Sequence, residues 1–388
     1  MVSSSMHWAC HWGLMHSMEI DRRSLLRAAS ASAILAGFPG LTQARAGTRS
    51  HIALCGRMAD GLDYAFIGSM DGTALKAIKL PDRGHGSVFS PSGKRVAFPA
   101  RRPGTFCLIH DIDSDTEDRW LTSPAGRHFT GHGVFIDETT LATTENDFDA
   151  GRGVVGFWDT STGVRIGEFY SHGIGPHDIL PMQGGKALCI ANGGILTHPD
   201  TGRAKLNIPT MQPNLSIIET GSGRMLDSVE APPELHKVSL RHFAKTADDL
   251  VVVGGQFEGA QSDNPPLIAT WKPGSPLFFV SIDDHDRRAM NHYCGSIAIE
   301  PSGNYAVATS PRGNVAHLIA LEEQATLLDS VTLPDVCGAA AVAENAFVVT
   351  SGQGEALTLR IDADGIVHRD RMPLPRSTQW DNHAYSFL

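Results

Sequence analysis

The feature that most constrains how this chain can fold is a phrase it repeats: strand, tight turn, strand. Val88-Phe-Ser-Pro-Ser-Gly-Lys-Arg-Val-Ala-Phe98 returns nearly unchanged as Ile297-Ala-Ile-Glu-Pro-Ser-Gly-Asn-Tyr-Ala-Val-Ala308. Weaker copies occupy 134–143, 179–190, 243–253 and 340–349. A histidine or a cysteine stands just ahead of each copy, and a last histidine stands near the C-terminus. These markers are His85, His132, His177, His242, Cys294, Cys337 and His383, spaced by 47, 45, 65, 52, 43 and 46 residues. A period near 45 with about four strands per unit is the signature of a β-propeller.

The rest of the chain agrees. From His51 onward there is little helical periodicity, and 40 glycines and 22 prolines with only 7% aromatic residues suit many short strands joined by turns. The expected fold is therefore all-β: a single propeller over residues 47–388, with seven blades of four antiparallel strands. Residues 51–80 supply three strands without an inner partner, and the C-terminal stretch 382–388 supplies one strand without a blade. Joining them closes the ring and leaves no open edge. The 65-residue unit carries its extra length as an inserted loop at about 192–213.

Residues 1–46 read as a targeting segment. Asp21-Arg22-Arg23-Ser24-Leu25-Leu26 is a twin-arginine pattern, followed by the apolar run 28–38 and the small-residue cleavage site Ala44-Arg45-Ala46. This predicts twin-arginine export to the periplasm. Met18 is the more natural start. Eleven apolar residues are too few for a membrane anchor, which needs about 20. The net charge of -10, without any basic stripe, argues against nucleic acid as a partner. No Walker loop or dinucleotide fingerprint calls for a nucleotide. No CxxCH motif calls for covalent haem. Cys55, Cys107 and Cys189 lie in apolar strand-like runs and read as buried thiols.

In a propeller the lead-ins to the inner strands share one face with the loops between second and third strands. The first set carries the candidate metal ligands His85, His132, His177, His242 and His383. Imidazole from several blades suits copper, iron, zinc or nickel, and thiolate would bias toward copper or zinc. Asp178, Asp381 or the Glu145/Asp147/Asp149 loop would supply carboxylate ligands or acceptors that orient the rings. The second set supplies a candidate cofactor-binding group. Arg101, Arg102, Arg152, Arg203 and Arg312 suit an anion, the acidic loop with Glu145, Asp147 and Asp149 a hard cation, and His198 a lid in the insertion. His128 and His172, in the same loops, form a second tier.

Two other readings of the histidines remain open. They could hydrogen-bond toward Trp158-Asp159 as in WD-type blades, or simply fill a wet channel. Register is the difficulty for any shared site. His85 is expected on the inner strand itself, yet the seven markers do not keep one register, and a one-residue slip reverses the face. Bulges could absorb the slips, but some of the seven are expected to miss the axis, and Cys294 and Cys337 read equally well as neutral thiols buried between blades.

The segments Gly126-Arg-His-Phe-Thr-Gly-His-Gly-Val-Phe135, Thr143-Thr-Glu-Asn-Asp-Phe-Asp-Ala-Gly-Arg-Gly153, Ser171-His-Gly-Ile-Gly-Pro-His-Asp178 and Ala191-Asn-Gly-Gly-Ile-Leu-Thr-His198, with Pro233-Glu-Leu-His236 and Thr309-Ser-Pro-Arg-Gly313, resemble the DUF1513 family. The resemblance spans the chain beyond the targeting segment. It implies a periplasmic, twin-arginine-exported, propeller-like protein of unknown function. It further implies imelysin-like iron-associated proteins or haem proteins as partners. Three functions follow as expectations. One is binding of a transition metal or metal complex in iron or copper acquisition, another a metal-dependent oxidoreductase or hydrolase, and the third a metal-free docking scaffold.

Overall fold

The computed structural model describes residues 50–72, 74–114, 116–202 and 204–388. The expected targeting segment 1–46 and the candidate Arg203 lie outside the described residues. The 28 strands described, β1 to β28 in chain order, form seven four-stranded sheets. Six blades run in sequence order from their inner strands. These inner strands are β4 (Val88–Phe89), β8 (Arg127–Phe135), β12 (Pro176–Met182), β16 (Val238–Lys245), β20 (Ser296–Ile299) and β24 (Val336–Ala343). The seventh is closed as expected. The C-terminal β28 (Gln379–Phe387) pairs antiparallel with β1 (His51–Arg57) and so becomes the inner strand of the blade that begins the chain.

Burial follows from this arrangement. A middle strand of a blade is covered on both faces by neighbouring blades, so it reads as an unbroken apolar run rather than an alternating one. β17 (Val251–Phe257) and β25 (Ala346–Ser351) are buried at every position. Outer strands meet solvent: β15 (Met225–Glu230) and β27 (Val367–Arg371) are mostly exposed. The core is accordingly a series of clusters between adjacent blades, such as Phe129, Leu141 and Trp158 with Leu121.

The repeated turn explains its own sequence. Ser90 accepts from the Gly93 amide (2.8 Å) and Glu300 from that of Gly303 (2.9 Å), and both glycines have positive φ, 70° and 75°. Any β-carbon at Gly93 would also strike the Phe387 ring.

The insertion runs between β13 (Ala187–Asn192) and β14 (Asn214–Glu219). The sole α-helix among the described residues is the short α1 (Asp284–Ala289).

Candidate metal centre

Each of four candidate histidines sits at an irregularity of an inner strand. Pairing shifts register between Phe129 and Gly133 in β8, around His177 in β12, and between Leu240 and His242 in β16. In β28 it shifts across the segment opposite Cys55, which includes His383. A bulge inserts one extra residue and re-aims the side chain, and here it turns each imidazole to the axis. His85 differs from expectation. It lies three residues ahead of the two-residue β4 rather than on it, held by the bridge from Gly84 to Ala100. Gly131 makes this possible: its φ is +109° and a β-carbon there would meet His85 Cδ2 at 2.4 Å.

The five rings therefore meet. His85 lies 4.5 Å from His383 and 5.1 Å from His132 between centroids, His242 lies 4.5 Å from both His177 and His383, and the widest of the measured separations is 6.5 Å. Within the cluster two triads, His85–His132–His177 and His132–His242–His383, each bring ligand nitrogens within 4.8 Å of one another. His132 belongs to both. Four of the five are buried, and His177 is half-buried.

In His132 and His383 the hydrogen bonds leave one ring nitrogen held and the other open. His85 Nδ1 donates to Asp381 Oδ1 at 3.0 Å, and His132 Nδ1 lies 3.2 Å from both Tyr385 Oη and Asp178 Oδ1. His383 Nδ1 reaches Ser296 Oγ at 3.4 Å. The Nε2 atoms of His132, His177, His242 and His383 are buried without a partner, as is Nδ1 of His242. Buried polar atoms nearly always find partners. A second-shell group on one ring nitrogen with the other left open is how ligating histidines are held.

Electrostatics keep His85, His177, His242 and His383 neutral. Burial pushes His85 down to about 4. Burial, reinforced by neighbouring histidines, holds His177, His242 and His383 well below their ordinary value. Neutral imidazole is the form that binds metal. Asp381 is fully buried, which opposes its charge. Its bond to His85 and the charges of Arg101 and Arg83 nevertheless keep the carboxylate ionised. Asp178 is fixed by the Ile179 amide (2.9 Å) and, across the blade gap, by that of Phe243 (3.3 Å).

Above the cluster opens a cavity of about 560 Å³, floored by His85 and His177. Arg101, Arg312 and His198 line it, the last from the insertion, together with His128 and Asn146. Below, Asp178, His242 and His383 border a second cavity of about 340 Å³, largely apolar.

Three candidates lie elsewhere. Glu145 and Asp147 flank Asn146 on β9 (Thr140–Asp147), and a strand alternates its faces. Asn146 reaches the cavity, so its neighbours turn into the blade. Glu145 Oε1 accepts from Arg165 (2.7 Å) and Thr143 (2.7 Å). Asp147 pairs with Arg127 (2.8 Å) and with the third misplaced candidate, Arg152 (3.0 Å). The WD-type bond is also absent, because Trp158 Nε1 donates to Thr143 Oγ1 (2.9 Å) rather than to a histidine.

Arg83 and Arg241, both lining the cavity, were not legible as site residues. Arg241 adjoins a marker histidine, which was the one available signal. Tyr293 and Tyr385 gave none.

The family model described as "Protein of unknown function (DUF1513)" matches residues 78–387. No curated protein matches the chain in sequence. Among solved structures, Kuenenia stuttgartiensis hydrazine synthase is similar in fold, with a TM-score of 0.54 at 13% identity. That likeness covers 87% of this chain and 100% of the other.

Proposed function

The chain belongs to the DUF1513 family of proteins of unknown function, and from its geometry we propose that it binds a transition-metal ion in the five-histidine cluster on the propeller axis. The observation that carries this is the meeting of five imidazoles from different blades, four of them with a buried Nε2 that has no protein partner. Leaving a buried polar atom unsatisfied costs about 1–3 kcal/mol. A fold has no reason to repeat that cost four times within one cluster unless something fills it.

The donor set narrows the ion. Only imidazoles converge, with no carboxylate or thiolate within the two triads, which suits iron(II), copper or zinc and disfavours calcium and magnesium. The role that best fits is capture of iron or copper in the periplasm, where the twin-arginine pattern would deliver the protein. Imelysin-like or haem proteins are the partners proposed to receive or supply the metal.

A second reading has its own support. His85 and His177 face an open cavity, so a metal held there keeps a side toward outside ligands, as catalytic sites do. That favours a metal-dependent oxidoreductase or hydrolase over a closed structural site.

The test is elemental analysis of chelator-stripped protein after reloading with iron(II), copper(II) or zinc(II) in turn. One equivalent of one ion, lost in the His132→Ala/His242→Ala double variant, supports the proposal. Sub-stoichiometric uptake of all three, or uptake indifferent to both histidines, sinks it and leaves the docking scaffold.

A further inference from the structure

The chain as a whole carries a net charge of -10, yet the cavity above the histidines is basic. Arg83, Arg101, Arg102, Lys205, Arg241 and Arg312 all contribute to its lining, and no aspartate or glutamate does so among the described residues. The carboxylates paired with these cations lie behind the wall. Asp381, 2% exposed, takes Arg83 and, at 3.8 Å, Arg101. Glu258, 7% exposed, takes Lys205 and, at 4.0 Å, Arg241. Six cations thus converge on one space whose lining carries no carboxylate among the described residues.

Such crowding opposes itself. Burial lowers the pKa of Arg241, and the charges of Arg312 and Arg101 push the same way. A cleft of one sign concentrates the opposite sign from solution, and guanidinium forks match planar oxyanions. Neutral donors complete the wall: Asn382 donates to Tyr293 Oη at 2.7 Å, and Arg312 stacks over the Tyr293 ring at 4.9 Å. The volume of about 560 Å³ lies in the roughly 300–1,000 Å³ range of small-molecule sites, and the insertion walls one side. A polymer does not fit; a compact molecule does.

We infer that this cavity binds a small polyanion bearing two or more carboxylate or phosphate groups, which the arginines hold so that one oxygen reaches the metal beside His85 and His177. The second half of this inference rests on the metal-binding reading; the first half does not. The polyanion serves either as the form in which metal arrives, as a chelate, or as the outside ligand that completes its coordination. Both place an oxyanion at the same arginines.

Isothermal titration of the metal-stripped full chain with citrate, pyrophosphate and uncharged glucose tests the first half. Citrate or pyrophosphate should bind and glucose should not, with affinity falling as salt is raised. Arg241→Gln and Arg312→Gln should each weaken binding about tenfold or more. Arg312 lies at the rim, so its variant guards against misfolding at the half-buried Arg241; circular dichroism checks both. Citrate alone binding assigns a carboxylate ligand, and pyrophosphate alone a phosphate one. No binding of either, or binding untouched by both substitutions, overturns the inference. The His132→Ala/His242→Ala variant should keep its anion affinity, which separates failure of the metal reading from failure of this one. With metal loaded into the native chain, anion affinity should rise. An unchanged value overturns contact between anion and metal while leaving the arginine site.

Discussion

Five blades present a histidine at the lead-in or bulge of the inner strand, and two present a cysteine at the corresponding place. The outcomes are opposite. His132, His177, His242 and His383 leave a bulge toward the axis with Nε2 open. Cys294 instead packs beneath Gly254 with Met290 and Ile297 between two blades. Cys337 also sits in a regular shift, between Val336 and Ala339, but its sulfur points at the carbonyls of Trp380 and Asp381 (3.4 and 3.3 Å). The thiols are held protonated by burial, which pushes Cys294 up to about 12 and Cys337 higher. The same backbone device therefore serves two purposes. A small apolar side chain lets neighbouring strands close over it, whereas these imidazoles turn to the cluster they share at the axis.

The strongest way to break this comparison is His242→Leu. If the axial histidines are a site, metal affinity should fall by at least about 100-fold, read by competition with a chromogenic chelator. Both ring nitrogens of His242 are unpartnered, so the metal-free protein should gain about 1–3 kcal/mol, as in other relief of buried unsatisfied atoms. If the histidines are architecture, the variant should instead be destabilised in urea. Loss of both metal and stability would show that His242 does both.

Acid sharpens the same contrast. His85 has its folded pKa at about 4 against an ordinary value near 6.5, so the unfolded chain binds more protons between those values. Its neutral form contributes stability above pH 6.5, up to about 3 kcal/mol by linkage, which is lost as pH falls toward 4. His177, His242 and His383 shift in the same direction and add to the slope. Urea midpoints of metal-free protein should fall steeply across pH 6.5–4, and bound metal should be released over the same window. A flat profile would mean that the rings are not buried as neutral groups.

The propeller was largely legible because it is written in repetition. The Pro-Ser-Gly phrase, its period and the orphan C-terminal strand together dictate blade number and closure. The five histidines were legible as a set, but not their convergence, because bulges depend on pairing that no local pattern reveals. Parity of a strand was equally hidden. Glu145, Asn146 and Asp147 are neighbours in a polar loop, and only the pairing of β9 with β8 decides that the middle one faces the cavity. Arg83 and Arg241 were missed because their charges become a feature only when six cations from four blades meet.

A smaller effect tests the held nitrogen. Asp381 accepts from His85, from Arg83 and from the Asn382 amide (2.7 Å). Asp381→Asn keeps the shape but removes the charge and allows the amide to present a donor to Nδ1, so His85 would swing or change tautomer. Metal affinity should weaken about 10–100-fold, and supplying an external ligand such as imidazole should restore part of it. An unchanged affinity would remove His85 from the coordinating set and leave the His132–His242–His383 triad as the centre.

The smallest effect belongs to the cysteines and closes the comparison. Cys294→Ala removes a thiol packed in an apolar cluster, so the cost should be about 1 kcal/mol or less of folding stability. Metal stoichiometry and affinity should not change, because the sulfur faces Gly254 rather than the axis. Native protein should likewise resist a water-soluble thiol reagent at all five of the described cysteines, each of which is buried, and react fully in urea. If Cys294→Ala lowers metal affinity, or if a metal-bound thiolate absorption appears on loading copper, the division between the two kinds of blade fails. The axis would then be shared by six blades rather than five.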